Sequence, residues 1–264
     1  MGDTYIFSTG SELGRRHMDH LEELLDGPTV ECLEKVNPQP GARCLDLGAG
    51  GGSITRWLAD RAGPRGRVVA VDLTPDHITE RAGVEVYRHD INDGLPDEGP
   101  YDLIHARLPL LHLPRREEIF KTLVDALAPG GWLVLGEFSG RPLTPLSAPS
   151  EADEALWVRI QHVSHDVVGA ARGMDLTWAH EVGGRMTEAG LVNVHSLERS
   201  ETTVGGDAAC LLHSNLNTQA EPLLLAAGVT AEELRRYREL MLDPRFRAWF
   251  YQFVCTRGQR PETA

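Results

Sequence analysis

An α/β fold built on a doubly wound, mostly parallel sheet, with a helical N-terminal segment and lid insertions, is what this sequence predicts. Three observations carry the prediction. Across residues 41–138 short apolar runs alternate with helical patterns, the signature of successive strand-helix-strand units. Several runs are apolar at consecutive positions, as in Val68-Val69-Ala70-Val71, which fits strands covered on both faces. A glycine-rich turn, Gly48-Ala49-Gly50-Gly51-Gly52, separates the first run from a helical pattern, as a ligand-binding turn at a sheet edge requires.

Each element follows in chain order. Residues 13–36 read as two amphipathic helices interrupted at Asp26-Gly27-Pro28, a breaker cluster. Strands are expected at residues 43–47, 67–72, 84–88, 101–106 and 131–138. Thr74-Pro75 is a cap followed by a first-turn proline, and Gly83 arrives soon enough to keep that helix short. Residues 115–128 form the best helix, with Ile119, Phe120, Leu123, Val124 and Leu127 on one face. Pro114 opens it and Pro129-Gly130 closes it. Pro142, Pro145 and Pro149 then break the alternation, and a helical pattern over residues 151–168 suggests an inserted lid. A helix at residues 181–189, a stop at Gly190 and a strand at 192–197 resume the register. Residues 207–242 read as a helical insertion and 248–256 as a final strand. The chain is therefore expected to form one domain, 1–264. Its parts are N-terminal helices (1–40), a cofactor-binding core (41–138), a lid (139–180) and a C-terminal part of the sheet (181–264).

Composition narrows what such a fold serves. The 264 residues are 41% hydrophobic and 25% charged, the balance of an ordinary globular protein. The formal charge of −13 repels a phosphate backbone, and no basic run offers a local exception, so nucleic acid is not expected as a partner. Cys32, Cys44, Cys210 and Cys255 form no CxxC pair, which suggests neither a zinc knuckle nor a disulfide framework and fits a reducing cytoplasm. Residues 1–10 lack the blocks of a signal peptide, and no apolar run approaches a membrane span, so no membrane partner is expected. The expected partner is a small-molecule substrate. A homodimer is one option for an oligomeric state that the sequence does not specify.

The chemistry concentrates in Cys44-Leu45-Asp46-Leu47-Gly48-Ala49-Gly50-Gly51-Gly52-Ser53. Glycine is needed there because the backbone bends sharply and a ligand must approach it. No Gly-Lys-Ser or Gly-Lys-Thr follows, which excludes a P-loop, and Ser53 stands where a dinucleotide fingerprint needs its third glycine. Asp46, two residues before the first glycine, is expected to point its carboxylate toward the ligand. That charge is unfavourable beside a pyrophosphate but favourable beside a sulfonium and an ammonium. S-adenosylmethionine carries both cations and no phosphate, and is the cofactor expected. Asp72 adds a second acidic residue at the same edge, a feature shared with NAD-binding proteins.

With these motifs the chain resembles the class I methyltransferases, and within them the small-molecule, natural-product enzymes of actinobacterial type with the pattern CLxxGAGGGS. The resemblance spans nearly the whole chain, most strongly residues 41–138, and implies a Rossmann-like sheet of seven strands. It implies that Asp46, Gly48, Ala49 and Gly50 surround the methionine moiety, and that Asp72 holds the ribose hydroxyls with Leu73 beside the adenine. In His89-Asp90-Ile91 it makes Asp90 the acceptor for the adenine amino group and packs Ile91 on the ring. It sets Arg107, ending Tyr101-Asp102-Leu103-Ile104-His105-Ala106-Arg107, near the methionine end, and matches Leu127-Ala128-Pro129-Gly130-Gly131-Trp132-Leu133 to the turn before strand five. The implied activity is methyl transfer to a secondary metabolite. A methyltransferase-like enzyme catalysing a cyclisation or decarboxylation is the alternative; a nicotinamide-dependent oxidoreductase and a noncatalytic binding module are further rivals.

Each residue also has a plainer reading. Asp46 and Asp72 could simply end strands, Asp90 could be a turn residue, and Arg107 suits a salt bridge equally well. His112, just after the fourth strand, is the candidate general base for a phenol or alcohol acceptor, or else a polar loop histidine. His162 and His165 lie three apart on the presumed lid helix, suiting solvent or substrate contact. Their spacing is not that of HExxH, and neither a metal site nor a divalent-ion requirement is expected. Trp157 and Trp178 suit a substrate chamber or the core. Tyr5 and Phe7 suit a cover over the cofactor or a frayed terminus.

Overall fold

A computed structural model describes residues 11–262; Tyr5 and Phe7 lie outside the described residues. The strands are β1 (Arg43–Leu47), β2 (Arg67–Asp72), β3 (Val84–Arg88), β4 (Tyr101–Arg107), β5 (Leu127–Phe138), β6 (Pro145–Ser147), β7 (Val192–Arg199), β8 (Thr202–Val204), β9 (Arg247–Trp249) and β10 (Phe253–Gln259). The helices are α1 (Glu12–Val36), α2 (Ser53–Ala62), α3 (Arg116–Asp125), α4 (Glu151–His162), α5 (Trp178–Glu188), α6 (Ala208–Gln219), α7 (Glu221–Ala226) and α8 (Ala231–Leu240).

The chain forms two compact units. One comprises, among the described residues, 25–139, 176–198 and 253–262 and holds a seven-stranded sheet in the order β3-β2-β1-β4-β5-β10-β7. The pairs β1–β2, β2–β3, β1–β4 and β4–β5 are parallel, and β10 runs antiparallel to β5. This is the expected Rossmann-like methyltransferase fold. From β1 the chain builds outward to β3, then returns to lay β4 on the other side. That reversal opens a crevice at the carboxyl ends of β1 and β4, where α/β sheets hold ligands.

The strands form where both faces can be covered. Val68, Val69, Ala70 and Val71 are all nearly inaccessible. One core joins Leu45, Leu47, Val69, Val71, Ile104, Leu133 and Leu135 to Ile119, Phe120 and Leu123 of α3 and to Trp178, Val182 and Met186 of α5. Each such large apolar side chain contributes roughly 1.5–3 kcal/mol by leaving water. The other unit comprises, among the described residues, 11–24, 140–175 and 199–252. It is mainly helical, with its own core of Trp157, Ile160, Leu224, Leu234, Tyr237 and Phe246 and a small antiparallel sheet in the order β6-β9-β8.

Several elements depart from the sequence expectations. α1 is one helix with Pro28 inside it, not two. Interior proline costs about 3 kcal/mol, which burial of Leu25, Thr29, Cys32 and Leu33 and an ion pair from Asp26 to Arg107 offset. β5 starts at Leu127, so Pro129-Gly130 lies within the strand rather than closing α3. Leu127 pairs with Tyr101 and the next pair is Trp132 with Leu103, so an irregularity absorbs the proline. The expected final strand is two, β9 in the small sheet and β10 in the large one. Thr74-Pro75 opens only a 3₁₀ turn, Pro75–His77. The helix expected to reach residue 168 gives way after His162 to a wider π-type turn, Val163–Gly169. Trp157 and Trp178 are both 1% exposed and belong to the two cores. Among the described residues no helix is long and apolar enough to cross a membrane.

Candidate active site

The turn from β1 into α2 carries positive φ at Gly48, Gly50 and Gly52, the left-handed region that side chains resist. A Cβ at Gly48 would also meet the Pro109 ring at 3.2 Å, so the loop after β4 packs directly on this turn. The Gly48 and Ala49 amides donate to the Val71 carbonyl at 2.8 and 3.1 Å. Asp72, ending β2, accepts from Gly50 N through Oδ2 at 2.9 Å and from Thr74 N through Oδ1 at 2.8 Å. One carboxylate thus braces both loops at the sheet's carboxyl edge. Leu73 beside it is half exposed, an apolar surface that folding alone does not require.

Other expected site residues have different placements. Asp46 is 1% exposed. It accepts from Thr55 Oγ1 and from His105 Nδ1, the latter at 2.8 Å. Both oxygens are engaged inside the protein, so the carboxylate does not point openly at a ligand. Arg107 donates to Asp26 Oδ1 at 2.8 Å and to Thr29 Oγ1 at 3.3 Å, the salt-bridge alternative. Asp90 is exposed and caps the 3₁₀ turn Ile91–Asp93, accepting from Asn92 N at 2.9 Å. Ile91 packs mostly into the sheet-unit core. His112 ends the 3₁₀ turn Leu110–His112; desolvation, then the Arg116 charge, pushes its imidazole down to about 4. His162 pairs with Asp166 at the surface at 2.8 Å, whereas His165 turns inward to Tyr251. The two do not share a face, because the π-type turn shifts the register between them.

Three features of the edge escaped sequence reasoning. Asp26 on α1 accepts from Ser53 Oγ at 2.9 Å as well as from Arg107, tying the start of α2 to the end of β4. His105 sits directly across from Asp46 in the β1–β4 register, and its Nε2 is buried with no partner among the described residues. Glu137, near the end of β5, is 1% exposed. Burial pushes its carboxyl up to about 8, against the pull of the Leu111 and Leu110 amides and of Arg116. Neither carboxylate oxygen makes a full hydrogen bond among the described residues. His105 and Glu137 do carry a sequence signal, since each interrupts a local apolar run, Leu103-Ile104-His105-Ala106 and Leu133-Val134-Leu135-Gly136-Glu137-Phe138.

A carboxylate-braced glycine turn thus lies beside the switch point of a seven-stranded sheet in a Rossmann-like methyltransferase fold. Solved structures share that fold. Haemonchus contortus phosphoethanolamine N-methyltransferase 2, in complex with S-adenosyl-L-methionine, superposes with a TM-score of 0.58 at 14% identity, covering 99% of this chain and 60% of that one. Phosphoethanolamine N-methyltransferase 1 of Arabidopsis thaliana is 27% identical over 181 residues, 66% of this chain and 33% of that protein. Trans-aconitate 2-methyltransferase of Mycobacterium tuberculosis is 30% identical over 127 residues, 47% of this chain and 48% of that protein. The chain thus spans a third to a half of the length of these curated relatives. A family model described as a methyltransferase domain matches residues 16–196, and the chain belongs to that family, the S-adenosylmethionine-dependent methyltransferases of class I.

Proposed function

We propose that the protein transfers a methyl group from S-adenosylmethionine to a small-molecule acceptor of the secondary-metabolite class, and that it works in the cytoplasm. The observation that carries this reading is the glycine turn of residues 48–52 braced by Asp72 at the carboxyl edge of β1 and β2. Gly48, Ala49 and Gly50 offer backbone that a ligand can approach closely. Each Asp72 oxygen accepts one amide and keeps a lone pair for a ribose hydroxyl. Leu73 supplies apolar surface for the adenine ring, Ile91 lies at the edge of the same region, and Asp90 remains exposed for the amino group. Asp46 and Arg107 are positioning residues: one fixes His105 and Thr55, the other holds α1 against the end of β4.

The bound cofactor supplies an electrophilic methyl group for in-line displacement. The protein's part is alignment and exclusion of water, for which a rigid turn and a braced edge suffice. His112 is neutral at neutral pH, the form that accepts a proton, although its depressed pKa makes it a weak base. We assign it that role for a phenol or alcohol acceptor, where general-base help is typically worth roughly 10²–10⁴-fold.

Calorimetric titration with S-adenosylhomocysteine and with NADH tests the cofactor assignment. Binding of the first and not the second is expected; tight NADH binding alone would overturn it. A labelled-methyl assay against phenols, amines and carboxylic acids then tests the reaction, and capture of the label by none of them would count against small-molecule transfer. For His112→Gln the expected result is a fall in kcat with KM little changed, and full activity on a phenol would remove the base assignment.

A further inference from the structure

The chain leaving β4 is strained, and what holds it lies outside the glycine turn. Leu108 has a φ of 68°, a left-handed conformation that a side chain adopts only where its surroundings enforce it. Its amide donates to the Gly136 carbonyl of β5 at 2.8 Å, and the β4–β5 register sets Arg107 against Gly136. Pro109 follows, its ring packed where a Cβ on Gly48 would meet it at 3.2 Å. Leu110 and Leu111 then open the 3₁₀ turn and are almost inaccessible. A helical turn offers no acceptor to its own first amides. Those of Leu110 and Leu111 act instead on the Glu137 carboxyl, without completing a hydrogen bond to it. Arg116 of α3 holds the same turn by its carbonyls, donating through Nε to Leu110 at 3.1 Å and through Nη2 to Leu111 at 3.3 Å. All these residues belong to the sheet unit.

Packing alone does not explain an acid at this position. Glu137 continues the apolar run Leu133-Val134-Leu135-Gly136 and is 1% exposed, where an apolar side chain would avoid the cost of burying a polar one. Its carboxyl, raised to about 8, meets the two amides as an uncharged acceptor at neutral pH. The turn is thus held from β5 by its amides and from α3 by its carbonyls, with Pro109 between this clamp and Gly48. Contacts that are loose in an empty site tighten when it fills, so the clamp has room to respond to the cofactor.

We propose that Glu137 is a positioning residue for cofactor binding: through the Leu110 and Leu111 amides it holds Pro109 against Gly48 and so fixes the shape of the glycine turn. This rests on the assignment of that turn to S-adenosylmethionine. Calorimetry with S-adenosylhomocysteine, beside urea unfolding of each variant, tests it. Glu137→Gln keeps an uncharged oxygen acceptor and should lose about twofold or less in affinity, whereas Glu137→Leu, which has none, should lose about fivefold or more. Pro109→Ala should lose a similar factor, and Glu137→Leu should cost little more in its presence, because both act through one contact. Equal affinity in the Gln and Leu variants, additive losses in the double variant, or lost stability with unchanged affinity would each overturn the proposal. Amide hydrogen exchange of the parent protein covers a Glu137→Leu chain that fails to fold. S-adenosylhomocysteine should slow exchange at Leu110 and Leu111 severalfold, and unchanged rates at both would overturn the clamp. Asp72→Ala separates the two readings: undiminished binding by that variant sinks the turn assignment. Weakened binding there, with parent-like binding by Glu137→Leu and Pro109→Ala, sinks only the clamp.

Discussion

Asp72 serves the turn and, on our reading, the ribose at once, so its two truncations should differ. Asp72→Ala removes the acceptor for the Gly50 and Thr74 amides together with the ribose contact. Losing hydrogen bonds to a charged group costs about 1.5–3 kcal/mol, and S-adenosylhomocysteine affinity should fall about 10- to 100-fold in calorimetry. Asp72→Asn keeps one oxygen acceptor and should lose less; equal loss in both would shift the explanation from bonding to charge. Asp46 makes a different prediction because its carboxylate is internal. Asp46→Ala leaves the buried Thr55 hydroxyl and His105 ring without their shared acceptor, and each buried donor left unsatisfied costs about 1–3 kcal/mol. Urea unfolding should therefore register the change more strongly than cofactor affinity does, and a large affinity loss at unchanged stability would restore Asp46 as a ligand contact. The glycine turn was legible in the sequence because its logic is local, whereas its bracing by Asp72 was not, since that bond joins residues 22 apart. Asp26 with Arg107 was not legible either, nor Asp46 with His105, because those partners lie 81 and 59 residues apart and are brought together by the packing of α1 at the end of β4 and by the β1–β4 register.

Elements were legible where one pattern had no competitor. Strands β1, β2 and β4 are mostly buried and centred on apolar residues, β3 is a short alternating edge strand, and their observed ends differ from expectation by at most a residue. Elements containing proline were not. The Asp26-Gly27-Pro28 cluster reads as a break, yet α1 passes through it because burial around Leu25, Cys32 and Leu33 outweighs one missing donor. Pro28→Ala restores that donor without touching Asp26 or Thr29. Interior proline is about 3 kcal/mol worse than alanine in a helix, so the variant should gain on the order of 1 kcal/mol or more in urea unfolding; a loss would mean that the proline ring itself packs. Residues 248–256 failed for another reason. Their uniform aromatic and apolar character hides a change of sheet at Phe250-Tyr251-Gln252, where one half joins β8 and the other joins β5.

At the scale of the whole molecule, buried titratable groups of opposite kind set the pH of greatest stability. Net charge was readable from the sequence, but these groups were not, because burial alone makes them matter. Glu137 rises from 4.5 to about 8 on burial. Its contribution is fully present below pH 4.5, where folded and unfolded chains both hold the proton. It is lost as pH rises through about 8, because the unfolded chain releases that proton first. His112, His165 and His213 fall from 6.5 to about 4, 4 and 3. Above pH 6.5 both states leave them neutral and nothing is lost. As pH falls below that value the unfolded chain binds protons that the folded chain refuses, and stability drops down to about pH 3–4. Three histidines oppose one carboxyl, each worth about 1.4 kcal/mol per pH unit within its window, so the maximum should lie at about pH 6.5–7 with a steeper acid limb than alkaline limb. Thermal unfolding across pH 4 to 9 measures both limbs. In Glu137→Gln the alkaline limb should flatten and the acid limb should steepen between about pH 4.5 and 6.5, where the carboxyl no longer opposes the histidines, and the variant should outlast the parent protein at about pH 8. An alkaline slope that survives this substitution would show that the Glu137 carboxyl is already ionised in the fold.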